Sequence, residues 1–162
     1  MTAGSILALD LGENKVGVAV TDELQITTRR LTPLTRSNWK RLLLDVKQLI
    51  VEYDAKTLVI GLPLNLDGTW GEAAKNAERL ALNFVKSLDL PVFLQDERLT
   101  SVEARQTLVE EGYDSQEITE IIDGQSAKLI LRDFLNNPET RLLVSVSTAG
   151  VRNTIDETIE NT

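Results

Sequence analysis

The sequence predicts an α/β fold: a mixed five-stranded sheet, three antiparallel strands followed by two parallel ones, with helices on both faces. Two observations carry this. Three β-rich segments open the chain, joined by links too short for a crossover, so they pair as a meander. Two short apolar strands then each follow a helical pattern, so they add through crossovers and lie parallel.

The segment "ILALDLGENKVGVAV" supplies the first hairpin: strands over 5–10 and 15–21, with a turn at Gly12-Glu13-Asn14. A more polar third strand is expected over 26–32. Ser37 is a candidate N-cap for the first helix, where Trp39, Leu42, Leu43, Val46, Leu49, Ile50 and Tyr53 recur at helical spacing. "LVIG" (58–61) reads as a buried strand. The loop "LPLNLDGT" leads to a second helical stripe: Trp70, Ala73, Ala74, Ala77, Leu80, Ala81, Phe84 and Leu88. "PVFLQ" is the fifth strand. Thr100 and Glu103 form a T-x-x-E capping box opening a third helix. A fourth helical segment near 115–135 carries Asp123 near its start, in line with Ala127, Ile130 and Phe134, and Asn136-Asn137-Pro138 stops it. Residues 1–138 are expected to form one domain, and 139–162 a partly disordered tail. This strand and helix order is the ribonuclease H-like arrangement.

The 162 residues contain neither histidine nor cysteine. Thiolate and imidazole metal sites are therefore excluded. Any metal must be held by oxygen, which favours Mg²⁺ or Mn²⁺. There is no basic leader and no apolar run of about 20 residues, so a cytoplasmic protein without a membrane span is expected. The net charge is −8, which opposes nucleic-acid binding on a whole-chain basis. The distribution does not. Leu24 to Leu44 holds Arg29, Arg30, Arg36, Lys40 and Arg41 and none of the 25 acidic residues. Such a segment is either a solvated face or a nucleic-acid contact surface.

Asp10 ends the first strand, and Asp96 and Glu97 end the fifth. Asp10 is open to three readings: metal ligand, neighbour of a nucleotide phosphate, or turn cap. Side chains alternate along a strand, so only one of Asp96 and Glu97 can share a face with Asp10. Asp123 would join from the helix. Three carboxylates meeting without a basic partner repel one another. A pair of divalent cations relieves this and suits phosphodiester cleavage. Arg98 is the best-placed guanidinium for a phosphate. Asn65, in the second loop, offers an amide to phosphate or sugar.

"LALDLGENKVGVAV", "VIGLPLNLDGT", "DERLTSVEAR" and "IDGQSAKLIL" occur in this order. Together they resemble the YqgF/RuvX family of pre-16S rRNA nucleases, also described as Holliday-junction-resolvase-like, over about residues 5–135. The resemblance implies a ribonuclease H-like fold, a divalent-metal-dependent nuclease of the bacterial cytoplasm, and Asp10, Glu97 and Asp123 as catalytic and metal-binding acids. It selects Glu97 over Asp96. Lys15, Arg29, Arg30, Asn65 and Arg98 are the candidates for holding substrate. Pre-rRNA is preferred over branched DNA, with pre-ribosomal particles as possible partners and a monomer or homodimer as the working form. Two departures remove positive charge beside the acids: Asn14 replaces a basic residue common in the family, and Glu120-Ile121-Ile122 lacks a lysine before Asp123. Two other readings compete. One is a nucleic-acid-binding module without catalysis. The other is a nucleotide-binding protein of the actin-like ATPase kind, which shares the D-x-G hairpin but needs two such domains.

Overall fold

The computed structural model describes residues 4–146. β1 (Ser5–Leu11), β2 (Lys15–Thr21) and β3 (Thr28–Thr35) form the expected meander. α1 (Trp39–Tyr53), β4 (Ala55–Leu62), α2 (Glu72–Ser87), β5 (Val92–Asp96), α3 (Thr100–Glu110) and α4 (Ser115–Asn136) follow. A 3-10 turn at Pro138–Thr140 then leads into β6 (Arg141–Leu143). The sheet order is β3-β2-β1-β4-β5-β6. β4 is parallel to β1 and β5 to β4, while β6 is antiparallel to β5.

The sheet thus has six strands, one more than expected. "RLL", within the segment assigned to the tail, pairs with Phe93 to Gln95. Three residues leave little sequence signal, and it is the open edge of β5 that recruits them. The remainder of the tail reading falls on 147–162, outside the described residues.

Both faces of β1 are covered, which is why its sequence is an almost unbroken apolar run. On one face Leu7, Leu9, Val18, Leu58, Ile60 and Leu94 pack against α1 and α2. There Trp39 and Phe84 meet edge-on, 4.8 Å between ring centroids. On the other face Ile6, Ala8, Ala19 and Val59 pack against α4 through Ala127, Ile130 and Phe134. Where β2 meets α4 the residues are small. Gly17 abuts Asp123, and Ala19 and Ala127 share the core cluster, so helix and sheet approach closely.

Helix caps differ from expectation in two places, and Asp123 sits deeper in its helix than expected. Asn38, not Ser37, caps α1, its side chain accepting from the Arg41 amide at 2.9 Å. The Thr100–Glu103 capping box does not form. Leu99 is the N-cap of α3, in the left-handed region at φ 65°, with no side-chain cap. Glu103 instead pairs with Arg132 of α4 at 2.5 Å. The capping box that does exist is Asp114 with Glu117, at the start of α4. It starts the helix early enough to place Asp123 more than two turns inside it, rather than near its start.

Candidate active site

Parallel β1, β4 and β5 all end on one side of the sheet, where alternation decides which side chains meet. Ile6 and Ala8 face α4, so Asp10 does too. On β5, Phe93 faces α4 and Leu94 faces the α1/α2 core. Glu97 therefore points to α4, and its carboxyl is hydrogen-bonded to that of Asp10. Asp96 turns the other way and accepts from Arg98 Nη2 at 2.8 Å and Nε at 3.0 Å. The structure chooses Glu97 over Asp96 by strand alternation alone.

Glycines make the room. A Cβ on Gly61 would lie 2.6 Å from Glu97 Oε2 and 2.7 Å from Ile130 Cδ1. A Cβ on Gly12 would come within 3.3 Å of Asp123 Oδ2. A Cβ on Gly17 would run into the backbone carbonyl of Asp123, with Asp123 Cβ 2.8 Å away. β4, β2 and the β1–β2 turn thus leave space for the acids.

The electrostatics match. Burial, and behind it the repulsion of Asp10, pushes the Glu97 carboxyl up to about 9. Asp10 is pushed up to about 6 by burial, a rise that the Glu97 hydrogen bond opposes and Asp123 reinforces. Glu97 is therefore the protonated partner that donates, and Asp10 the acceptor. Asp123 is raised by burial and partly held down by Lys15. Two buried acids sharing a proton, with a third nearby, is what a carboxylate site looks like without its counter-charge. Among the described residues no group of three acids closes around a single point. The site offers carboxylate pairs rather than a three-ligand cage. Its oxygen-only donors and glycine-made space fit hard divalent cations held between pairs.

Of the substrate candidates, Lys15 stands beside Asp123. Arg30 lies on the α4 face, close to Gly124, and donates to Gln125 Oε1 at 3.2 Å. Arg98 closes the other flank. Its pairing with Asp96 folds it toward Gly68 and the Leu66 carbonyl, at the tip of the 63–71 loop. In that loop Asn65 Nδ2 donates to Thr69 Oγ1 at 2.9 Å, and the Asp67 carboxylate accepts from the Thr69 amide, an Asx turn. Arg29 is not brought to the site. It sits on the opposite sheet face, over the Tyr53 ring at 5.2 Å, because neighbouring strand residues point apart.

Arg36 was legible only as part of the basic segment. Its backbone amide donates to the Asn14 carbonyl at 2.9 Å, and its Nη1 to the Gly12 carbonyl at 2.6 Å. An exposed guanidinium is thus tied to the β1–β2 turn where Asn14 lacks a charge. The antiparallel register, Lys15 opposite Thr35, was the available clue.

Comparisons with known proteins give the family and the fold. The sequence profile of the RuvX family, described as Holliday junction resolvase, matches residues 4–137. A relative from Lachnospira eligens, named "Putative pre-16S rRNA nuclease", is 39% identical over 137 residues, 83% of this chain and 98% of its own. One of the same name from Lactobacillus acidophilus is 36% identical, covering 81% and 95%. Among solved structures, Thermus thermophilus RuvC in complex with a Holliday junction substrate superposes with a TM-score of 0.54 at 11% identity, over 83% of this chain and 97% of RuvC. That likeness establishes a ribonuclease H-like resolvase fold. With its profile matched from β1 through α4, the chain belongs to the RuvX family of nucleases.

Proposed function

We propose that this protein is a divalent-metal-dependent endonuclease that trims the 5′ end of pre-16S rRNA in the cytoplasm. The observation that carries the metal dependence is the Asp10–Glu97 pair: two buried acids, hydrogen-bonded to each other, with no base among the described residues to neutralise them. The names of the relatives support the RNA substrate.

Asp10, Glu97 and Asp123 are the residues that would hold the cations, with Asp10 the ligand common to both. Mg²⁺ or Mn²⁺, when bound, would supply an activated water and neutralise charge on the phosphodiester. Holding a cation would require Glu97 in its ionised form, so the pair would be dianionic only where that charge is matched. Lys15 and Arg36 on one rim and Arg98 on the other hold the backbone across the acids.

The test is an Mn²⁺-dependent cleavage assay comparing a precursor 16S 5′ segment with a four-way DNA junction, with Asp10→Ala as control. Cleavage of the RNA that is lost in the variant is expected. Cleavage that survives Asp10→Ala unchanged would overturn the site. Cutting of the junction alone would replace the RNA reading with a resolvase one.

A further inference from the structure

A polar pocket of about 260 Å³ opens at the C-terminal end of β5. Gln95, Asp96, Arg98, Asp133, Asn137 and Thr140 line it. Gln95 is fully buried. Its Nε2 donates to Thr140 Oγ1 at 2.6 Å and to the Asp96 carbonyl at 3.3 Å. Thr140 Oγ1 in turn donates to the Asn137 carbonyl at 2.8 Å. This relay fixes the amide: Thr140 spends its proton on Asn137, so it can only accept from Gln95. Gln95 Oε1 is left buried with no partner. Leaving such an acceptor unpaired costs about 1–3 kcal/mol. A fold accepts that cost where a ligand relieves it.

The pocket's chemistry states what the ligand offers. Gln95 Oε1 is an acceptor, and so is the Asp133 carboxylate, whose Oδ1 already accepts from Arg132 Nε and Nη2 and whose Oδ2 remains for a ligand, so the ligand presents N–H donors. The Asn137 amide can add a contact of either kind. Gln95 lies two residues before Glu97 on the same strand face, about 7 Å along the strand. That is close to one nucleotide step from the phosphate over the acids. An amino group on the Watson–Crick edge of a base, unpaired so that the edge is free, meets these conditions.

We propose that this pocket is a base-recognition subsite that takes an unpaired amino-bearing nucleobase next to the scissile phosphate. The inference rests on the nuclease reading for its substrate, and it gives a sequence preference to a site otherwise built to hold backbone. It also assigns a role to the 3-10 turn and β6, which bring Asn137 and Thr140 to Gln95.

The experiment has two arms. In the first, the Gln95 side-chain amide is followed by NMR as guanosine, adenosine, cytidine and uridine 5′-monophosphates are titrated into the full chain. Shifts from the amino-bearing three, with uridine weaker by at least 10-fold, are expected. In the second, single-stranded RNAs varying one base at each side of the cleavage point are compared by kcat/KM. A preference of about 10-fold at one position is expected, flattened in both Gln95→Met and Asn137→Ala. Cleavage without base preference, together with an unmoved Gln95 amide, overturns the subsite and leaves the nuclease standing. Nucleotide-dependent shifts in a protein that cuts nothing sustain the subsite and sink the nuclease reading. Should Gln95→Met fail to fold, Asn137→Ala, at the helix end, carries the same test.

Discussion

Gly17→Ala is the most informative single substitution. A Cβ at this position of β2 would overlap the carbonyl carbon and oxygen of Asp123. Backbone cannot rotate away as a side chain can, so α4 must lift or β2 must sink. The neighbours leave no slack, since Val16, Val18, Ala19 and Ala127 are fully buried. Inserting one methyl into such a core costs about 3 kcal/mol, the upper part of the overpacking range. In a domain of this size that lowers Tm by roughly 6–12 °C. The displacement falls on the residue that carries the third acid. Asp123 should move away from Asp10 by on the order of 1 Å, and a misplacement of that size costs about 10²-fold in rate. Differential scanning calorimetry and the Mn²⁺-dependent cleavage assay read the two effects. A Gly17→Ala protein with unchanged Tm and unchanged rate would refute the close packing of α4 on β2, and with it the placement of Asp123.

Three further outcomes follow from the same geometry. Glu97 is raised above its ordinary 4.5 to about 9 in the folded protein, so the unfolded chain ionises first; the Glu97 contribution to metal-free stability is fully present below pH 4.5 and falls by about 1.4 kcal/mol per pH unit up to about pH 9. Glu97→Gln should abolish that part of the slope, and parallel Tm–pH curves for the two proteins in chelator would refute it. Arg36→Ala should lower the salt slope of RNA binding by roughly 0.7–0.9 in log–log units, measured by anisotropy, with an unchanged slope removing Arg36 from the interface. Asp114→Ala, which deletes the cap of α4, should cost about 1 kcal/mol in urea unfolding, and a neutral result would mean the Asp114–Glu117 box is not formed in solution.

The sequence made the sheet legible because its strands are extreme. β1 and β4 are buried on both faces, and only an apolar run satisfies that. What escaped was decided by tertiary contact. The T-x-x-E pattern at Thr100 reads as a cap, yet Glu103 finds a charge on α4, and Arg132 outcompetes a backbone amide. β6 is too short to announce itself and exists because β5 has an edge to fill. The acids were legible at the level of faces, since alternation forbids Asp96 and Glu97 from sharing one. Register was not: Arg29 and Arg30 look equivalent in sequence, and one residue of pleat sends them to opposite sides. Arg36 and the Gln95 pocket required knowing which chain ends come together.

Two of the three acids ride on the sheet, and the third rides on α4. Under the proposed nuclease reading, catalytic competence would therefore depend on a docking event rather than on any local segment. A molecule whose α4 has transiently separated would keep Asp10 and Glu97 together but lack Asp123. A cation held by acids of both sheet and helix would bias that opening equilibrium toward closure. Such an ion would also be a fastener, and slower amide hydrogen exchange along α4 on adding Mg²⁺ or Mn²⁺ is how its grip would be seen.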